Sequence, residues 1–474
     1  MNINLKQGCI LIMLAYILIA SSFYLIAKEQ LIYSVVSKEM STSEQLLPVG
    51  EIVEGMTVVQ PFILNADTLE SVSLYTATYD RMNVGELTVQ IIDLSTTFVL
   101  REKVFDLTSI PNSGLLEISL ENPIQDVNGK LLAIKLTSNG EKGNAVTVWQ
   151  KNDLSQGQTL LINGYPTDKI LCFSLIGRSL SWVGQYYFHL ALLTGISLGS
   201  YLLRLMMAKK KGQICLGLRV IDAFVKYRFL LSQLISRDFK TKYRRSVLGI
   251  FWSFFNPLLT MTVQYIVFST LFKTDIPNFP VYLLIGIVFF SFFLESTSMS
   301  LMSIVGNANL ITKVYMPKYI YPVSRVLSSS INFLLAMIPL LIVVVFTKTP
   351  FTSAYLLLPF IIVCLVVFCM GMGMLLSAAM VYFRDTQFIW SVLSMLWMYS
   401  TPIFYPVSII PEKFMLLYKI NPLYHFIDFS RVVIMQGVSP EPQAYLICAA
   451  YAVIMLLIGG LIFNTTQNGF VMHI

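Results

Sequence analysis

Residues 237–257 read RDFKTKYRRSVLGIFWSFFNP, and within this run the chain changes from basic to apolar. Five of the nine residues from 237 to 245 are Lys or Arg, whereas residues 246–272 contain no charged side chain. At about 1.5 Å per residue, a helix of that length crosses the roughly 30 Å hydrocarbon core of a bilayer. Because a backbone in hydrocarbon must satisfy its own hydrogen bonds, this stretch is predicted to be a transmembrane helix.

The composition extends this prediction to the rest of the C-terminal part. Only 12% of the 474 residues are charged and 55% are hydrophobic, whereas soluble domains carry about 25% charged residues. Uncharged stretches recur along residues 247–474, and we expect six spans there. The number is six and not seven because the segment 405–443 is not counted as a span. That segment is apolar but broken by five prolines, so we expect it to be re-entrant and external. The six spans are expected at about residues 248–272, 281–305, 324–347, 354–381, 387–405 and 443–463.

Two further spans are predicted near the N-terminus. Residues 7–27 are uncharged, and we assign 1–27 to a first transmembrane helix. The competing interpretation is a signal peptide, which would normally have a shorter apolar region and a cleavage site between small residues. Residues 180–203 are also uncharged, and we assign 179–205 to a second transmembrane helix.

The segment 28–178 has a different pattern. Apolar residues alternate with polar ones, as in Leu87, Val89 and Ile91, and this period of two indicates strands. Asn-Gly pairs at 128, 139 and 163 indicate turns between strands. Eight or nine short strands predict an inserted antiparallel β-sandwich, jelly-roll-like in type.

The charge distribution predicts the orientation. Residues 204–245 contain 12 Lys and Arg but two acids, whereas 28–178 contain 11 basic and 18 acidic residues. Basic loops stay in the cytoplasm, so 206–246 is expected to be a cytoplasmic basic linker with an interfacial helix. The sandwich is then extracytoplasmic, and both termini are cytoplasmic. The predicted fold is a polytopic α-helical membrane protein of about eight spans with an extracytoplasmic β-sandwich.

The sequence contains little that points to catalysis. No G-x-x-x-x-G-K-[ST] run occurs, so the chain has no P-loop of its own, and any ATP it needs must be used by another subunit. Gly195-Ile196-Ser197-Leu198-Gly199 matches an esterase pattern but lies in an apolar span, where a small-residue helix contact is the better interpretation. Three scattered histidines favour no metal site. We expect no cofactor in this chain and no nucleic-acid partner.

Three features of the spans and their flanks admit two interpretations each. The basic run is either ordinary flanking charge or an interfacial helix whose cations attract an anionic headgroup or pyrophosphate. Glu295, an acid well inside a predicted span, either lines a cavity or bonds a neighbouring helix. The aromatic side chains of two spans either face lipid or stack on sugar rings.

Several ordered motifs resemble those of bacterial polysaccharide ABC exporter permeases, of the O-antigen and teichoic-acid export type. The entry signature is the run quoted above, and NANLITKVYMPKYIYPVSR at 307–325 is similar to the cytoplasmic coupling loop of this type-2 ABC exporter family. The resemblance covers about residues 225–465. It also includes Tyr382-Phe383-Arg384-Asp385, Thr401-Pro402-Ile403-Phe404-Tyr405-Pro406 and Asn421-Pro422-Leu423.

The resemblance implies a homodimer in the bacterial plasma membrane, docked on two ATPase subunits that bind ATP and Mg. It implies transport of a lipid-linked polysaccharide and three groups of site residues. The residues that meet the ATPase are Asn309, Leu310, Ile311, Lys313, Tyr315, Met316 and Pro317. The residues at the entry of the lipid pyrophosphate are Arg237, Lys240, Lys242, Arg244 and Arg245. The aromatic residues that line the channel are Trp252, Phe255, Tyr265, Trp397, Tyr399, Phe404 and Tyr405.

The chain departs from the family pattern in its first two spans, its sandwich and its less charged C-terminus, which leaves substrate and regulation open. Carbohydrate binding by the sandwich is one hypothesis, with Trp149 as a stacking or a core residue. A membrane sensor, a membrane glycosyltransferase and a permease for another lipid-like substrate are the alternatives for the whole chain. A sensor would need an output module, and a glycosyltransferase would need clustered carboxylates. The sequence shows neither feature.

Overall fold

The computed structural model describes residues 5–39, 46–152, 159–213, 216–243, 248–271, 276–312 and 316–473. The chain forms two compact units, one of residues 1–30 with 188–474 and one of residues 31–187. The helices are α1 (Leu5–Ile32), α2 (Trp182–Gln185), α3 (Tyr187–Lys210), α4 (Leu216–Tyr243), α5 (Trp252–Leu271), α6 (Phe279–Leu301), α7 (Ala308–Ile311), α8 (Ile320–Phe346), α9 (Leu358–Tyr382), α10 (Thr386–Tyr399), α11 (Glu412–Ile420), α12 (Pro422–Arg431), α13 (Pro442–Thr466) and α14 (Phe470–His473).

Seven helical segments within the described residues are long and apolar enough to cross a membrane. They are Lys6–Ile32, Tyr187–Lys210, Gly249–Ser269, Phe279–Leu301, Ile320–Phe346, Ser353–Tyr382 and Pro442–His473. The span expected at 387–405 corresponds to α10, which has 14 residues and is therefore only about 21 Å long. Thr401 precedes Pro402, and a residue before proline disfavours helical backbone angles, which accounts for the early end of the helix.

The segment between α10 and α13 consists of short helices, as expected for a stretch broken by prolines. The helices α11 and α12 are followed by a π-helical turn at Val432–Gln436. The re-entrant and external position of this segment stays a prediction.

Helix α6 lies at the centre of the helical unit. Apart from Ser291, residues 279–294 of the helix are apolar on all sides, which is typical of a buried helix, and most of the side chains of α6 are buried. Phe293 is fully buried and its ring lies 5.1 Å from Trp397 and 6.2 Å from Phe368. The core that surrounds α6 includes side chains from α8, α9, α10 and α12.

The two N-terminal spans pack on each other through small residues. Gly195 of α3 faces the ring of Tyr16 in α1, and Gly199 faces Met13. The Tyr16 hydroxyl donates to the carbonyl oxygen of Ala191 at 2.7 Å. The prediction of a small-residue helix contact in the G-x-S-x-G run is confirmed, because the run lies within a helix and its glycines meet the neighbouring span.

The second unit is a sandwich of two antiparallel sheets. Its strands are β1 (Tyr33–Glu39), β2 (Leu47–Pro48), β3 (Thr57–Ile63), β4 (Thr68–Ala77), β5 (Glu86–Asp93), β6 (Phe98–Asp106), β7 (Gly114–Gln125), β8 (Leu131–Ser138), β9 (Thr147–Lys151), β10 (Leu161–Ile162), β11 (Tyr165–Pro166), β12 (Ile170–Leu171) and β13 (Phe173–Leu180). One sheet has the order β1-β13-β4-β9-β12, with β2 on β9 and β7 on β4, and the other has the order β11-β10-β3-β8-β5-β6. The inner faces share one core, in which the ring of Phe62 from one sheet lies 6.2 Å from that of Phe173 in the other.

The limits of the sandwich and one of its three predicted Asn-Gly turns differ from the prediction. The unit covers 31–187 instead of 28–178, because α1 continues through Lys28 and Glu29 to Ile32. Asn163-Gly164, with both φ angles positive, closes the hairpin between β10 and β11 as a two-residue turn. The Asn139 side chain instead accepts the backbone N–H of Glu86.

Candidate functional site

A cavity of about 300 Å³ lies between the end of α4 and the helices α5, α6 and α8. Its wall combines hydroxyl and amide groups with aromatic rings and one ion pair. The lining residues are Lys242, Trp252, Ser253, Asn256, Pro257, Thr260, Ile287, Val288, Ser291, Phe292, Glu295, Ser329, Asn332, Phe333 and Ala336. The cavity brings together Lys242 and Trp252, which the sequence analysis had placed in two separate groups.

Glu295 is the acid of this cavity, and it bonds two neighbouring elements. Lys242 at the end of α4 donates to its Oε1 atom at 2.7 Å, and so does the Asn332 amide of α8, also at 2.7 Å. Both interpretations of Glu295 therefore hold, since the side chain lines a cavity and connects helices. The ion pair is partly open, with 41% of the Lys242 and 30% of the Glu295 side chain exposed.

A second charged cluster fixes α4 on α8. Asp238 is buried, and its carboxylate lies 2.9 Å from Arg325 of α8 and 3.1 Å from Arg237. Leu234 and Leu231 of α4, one and two turns before Asp238, pack against Ile320. Leu231, Leu234 and Asp238 are spaced so that they form one buried stripe along the helix. This face of α4 therefore packs against other helices of the protein.

The predicted basic cluster is therefore divided. Arg237 pairs with Asp238, Lys240 is exposed, and Lys242 is in the cavity. Arg244 and Arg245 lie outside the described residues. Asp238, Arg325 and Asn332 could not be recognised as partners from the sequence, because each looks like an ordinary helix residue until the helices are packed.

The predicted ATPase-contacting loop forms a short surface segment. Asn309 in α7 is exposed, Leu310 is half-buried, and Ile311 is buried in a core cluster with Tyr321 of α8 and Phe463 of α13. Met316 packs against the same cluster and Pro317 is half-buried. Lys313 and Tyr315 lie outside the described residues.

The C-terminal segment holds the end of this loop. Lys318 donates to the carbonyl oxygen of Gln467 at 2.6 Å, and its ammonium lies 5.7 Å from the centre of the Phe470 ring. Burial lowers the pKa of the Lys318 ammonium. Tyr382 donates to the carbonyl oxygen of Thr466 at 2.8 Å, so the loop, the end of α9 and the C-terminal segment form one end of the helical unit.

The predicted channel aromatics differ in their exposure. Trp252, Phe255 and Tyr265 of α5 are 45%, 40% and 39% exposed, and Tyr399 is 61% exposed. Phe404 is buried and stacks on Phe268 at 5.3 Å. The four exposed rings keep open surface in this chain, whereas Phe404 is packed inside it. Which of these rings line a channel stays a prediction.

Trp397 and Tyr405 make hydrogen bonds that hold together the end of α10 and the turn after it. The Trp397 indole donates to Asn421 at 2.8 Å, and the Asn421 amide donates to Thr401 at 2.9 Å. The Tyr405 hydroxyl donates to the carbonyl oxygen of Tyr399 at 2.7 Å. Two motifs that are separate in the sequence, Thr401–Pro406 and Asn421–Leu423, are thereby joined.

Arg431 of α12 also stabilises this turn through hydrogen bonds to its backbone. The guanidinium is buried and donates to the carbonyl oxygens of Pro402 and Ile403 at 2.8 and 3.3 Å. It also lies 3.4 Å from the centre of the Tyr282 ring, and the Tyr282 hydroxyl donates to the carbonyl oxygen of Tyr405 at 2.8 Å. Arg431 was not among the predicted site residues, although a cation in an apolar segment is a signal that could have identified it.

Helices long enough to cross a membrane, a buried central helix and a polar cavity between spans define a multi-pass membrane protein of the transport class. Residues 230–435 match the family model described as ABC-2 type transporter. The chain is 30% identical over 257 residues, 53% of its own length and 98% of the relative's, to the O-antigen export system permease protein RfbA of Myxococcus xanthus. The chain belongs to this family of ABC transporter permeases.

Other relatives have related names. A Klebsiella pneumoniae O-antigen export system permease protein RfbA is 34% identical over 51% of the chain and 93% of the relative. The polysialic acid transport protein KpsM of Escherichia coli is 22% identical over 52% of the chain and 97% of the relative. The β-sandwich at 31–187 lies outside the residues that the family model matches.

Proposed function

We propose that this chain is the permease subunit of an ATP-driven exporter that moves a lipid-linked surface polysaccharide across the bacterial plasma membrane. The observation that carries the proposal is the similarity to O-antigen export permeases over 93–98% of their length. The polar, aromatic-walled cavity beside α5 supports it, because hydroxyl and amide groups suit phosphate and sugar.

The energy comes from two separate ATPase subunits that bind ATP and Mg, with the permease as a homodimer. This part of the proposal is supported by the absence of a P-loop in the sequence. The segment from Asn309 to Pro317 is the proposed ATPase contact. Its exposed Asn309, and Lys318 anchored directly after the segment, suit a surface that passes force to α8 and α13.

The chain is proposed to have cytoplasmic termini and an extracytoplasmic sandwich, on the strength of the basic residues between α3 and α5. We propose that the sandwich binds the polysaccharide or shapes its exit. Trp149, next to Pro48 in the register of β9 and β2, is half-buried, so one part of its ring remains open to a ligand.

Replacement of residues 309–317 by a Gly/Ser segment of equal length tests the proposed function. ATP-dependent export in cells is expected to be lost while the permease remains in the membrane. A matched replacement of the loop at 94–97 in the sandwich is the control. Normal export after replacement of 309–317 would contradict the proposal.

Titration of the native polymer into residues 31–187 by calorimetry tests the sandwich. Saturable heat is expected from a sugar-binding domain, and Trp149→Ala is expected to weaken it, with Phe98→Ala as an exposed aromatic control. No heat from the native polymer would leave a structural role for the sandwich.

A further inference from the structure

The charged side chains that line the cavity beside α5 form a single ion pair. Among the described lining residues, Lys242 is the one cation and Glu295 the one acid, and they are bonded to each other at 2.7 Å. Lys242 comes from α4, whereas Glu295 lies in α6, six residues before its end at Leu301. The ion pair therefore joins two elements at the wall of the cavity.

The remaining polar groups of the cavity are neutral. Hydroxyls of Ser253, Thr260, Ser291 and Ser329 and the amide of Asn256 line it. Such groups donate hydrogen bonds to phosphate oxygens, and a lysine ammonium adds a charge-assisted bond. A volume of about 300 Å³ is at the lower end of small-ligand pockets, which suits a headgroup rather than a whole lipid.

We propose that Glu295 is an internal counterion that occupies Lys242 in the resting state and is displaced when a diphosphate group enters this cavity. The inference rests on the proposed function, since the diphosphate would be that of the lipid carrier. Glu295 thereby sets the affinity and selectivity of the site without binding the ligand itself.

The exchange leaves Glu295 with one of its two hydrogen-bond partners. Asn332 donates to the same Oε1 atom as Lys242, so Glu295 keeps one hydrogen bond when the lysine leaves. Asp238, one turn before Lys242, is tied to Arg325, which holds α4 in place while its last turn moves. A carboxylate without any partner inside a span would be costly, and the hydrogen bond from Asn332 reduces that cost.

The test measures binding of undecaprenyl diphosphate to the full chain with its ATPase subunits in phosphatidylethanolamine nanodiscs. We expect Glu295→Gln to lower Kd about fivefold, because the ligand no longer competes with a carboxylate. Lys242→Gln is expected to raise Kd, and Lys226→Gln, which removes a charge from the same helix far from the cavity, is the control.

The double variant Glu295→Gln with Lys242→Gln distinguishes a counterion of Lys242 from a carboxylate that repels the diphosphate directly. If Glu295 acts through Lys242, then Glu295→Gln changes nothing when Lys242 is already Gln, and the two effects are strongly non-additive. Equal tightening in both backgrounds would overturn the inference, and so would an unchanged Kd in the single variant. Melting curves of all variants confirm that each one folds.

Further arms identify the source of the diphosphate. Undecaprenol lacks the anion, inorganic pyrophosphate lacks the lipid, and phosphatidylglycerol nanodiscs supply an ordinary anionic headgroup. We expect undecaprenyl diphosphate to compete with pyrophosphate and to bind far more tightly than undecaprenol. If the wild type binds undecaprenyl diphosphate and undecaprenol equally, the proposed lipid-linked substrate fails; if it discriminates but Glu295→Gln has no effect, only the counterion inference fails.

Discussion

At the scale of single residues, Arg431 stabilises a turn whose backbone has no helix of its own. Its guanidinium bonds the carbonyl oxygens of Pro402 and Ile403 and covers the Tyr282 ring. We expect Arg431→Met to lower the melting temperature of the detergent-solubilised protein. The Ile403 carbonyl loses the guanidinium as donor, and the Pro402 carbonyl keeps only the bond from the Tyr282 hydroxyl at 3.3 Å. A buried polar group that loses its partner costs about 1–3 kcal/mol.

Two other variants separate this effect from the loss of a charge. Arg431→Lys is expected to lie between wild type and Arg431→Met, since an ammonium lacks the planar fork of donors. The exposed Arg384→Met is expected to melt like the wild type. Equal melting of Arg431→Met and the wild type would contradict the proposed role of the guanidinium.

Glu51 in the sandwich is expected to contribute to the pH dependence of the domain's stability. The backbone N–H of Gly143 and the Arg81 guanidinium hold the pKa of the Glu51 carboxyl below its usual value of 4.5. Because the folded pKa is the lower one, the stabilisation is present above about pH 4.5 and is lost as the pH falls through the folded pKa.

We therefore expect Glu51→Gln to remove this part of the pH dependence. Scanning calorimetry of the full chain between pH 6 and 3 should show a smaller fall in the melting temperature of the sandwich than in the wild type. The difference corresponds to less than about 1 kcal/mol, because the pair is solvent-exposed. Identical pH profiles would show that Glu51 does not contribute.

Glu295 and Asp238 show what can be predicted for a single residue from sequence. Glu295 stands out because it interrupts an uncharged stretch. Asp238 does not stand out, because it lies in a basic run, where an acid is ordinary on an exposed helix. Its burial against Arg325 depends on the packing of α4 on α8, which no local pattern contains.

At the scale of elements, the contact between α9 and α13 depends on two glycines. A methyl group at Gly371 would collide with the backbone of Met455, and one at Gly459 would collide with the carbonyl of Gly371. Helices in membranes approach closely through such small residues. We expect Gly459→Ala and Gly371→Ala to destabilise the protein by about 1–3 kcal/mol each.

The neighbouring Gly460 provides a matched control, because a methyl group there meets open space. Gly460→Ala is expected to leave the melting temperature unchanged, while the two contact variants lower it. If all three alanine variants melt alike, the close approach of α9 and α13 does not contribute to stability.

The elements themselves could be predicted from their periods, but their ends could not. The spans follow from uncharged stretches and the strands from alternation, and both patterns are local. The early end of α10 depends on Thr401-Pro402, and the continuation of α1 through Lys28 and Glu29 contradicts a boundary that was placed at the first charge. Long charged side chains reach out from a helix end, so a charge does not end a helix.

At the scale of the whole molecule, the sandwich is an insertion with adjacent ends. The backbone N–H of Ser181 donates to the carbonyl oxygen of Ile32 at 2.8 Å, so the chain enters and leaves the domain at one point. We expect a variant in which a short Gly/Ser linker replaces 33–180 to insert into the membrane and to co-purify with the ATPase subunits.

The outcome for transport in this variant reports the role of the sandwich separately from the permease. Retained basal ATPase activity with altered export would support a role at the exit. A variant that is degraded, when the same linker inserted at 94–97 is tolerated, would contradict the independence of the two units.

The central claim is that this chain forms the path for an ATP-driven export of a lipid-linked polysaccharide. The most direct test reconstitutes the full chain with its ATPase subunits in proteoliposomes and measures the polymer that becomes accessible to a glycosidase on the far side. We expect accumulation with ATP and Mg and none with a non-hydrolysable analogue. Equal accessibility with and without ATP hydrolysis, in complexes that contain both subunits, would contradict the account.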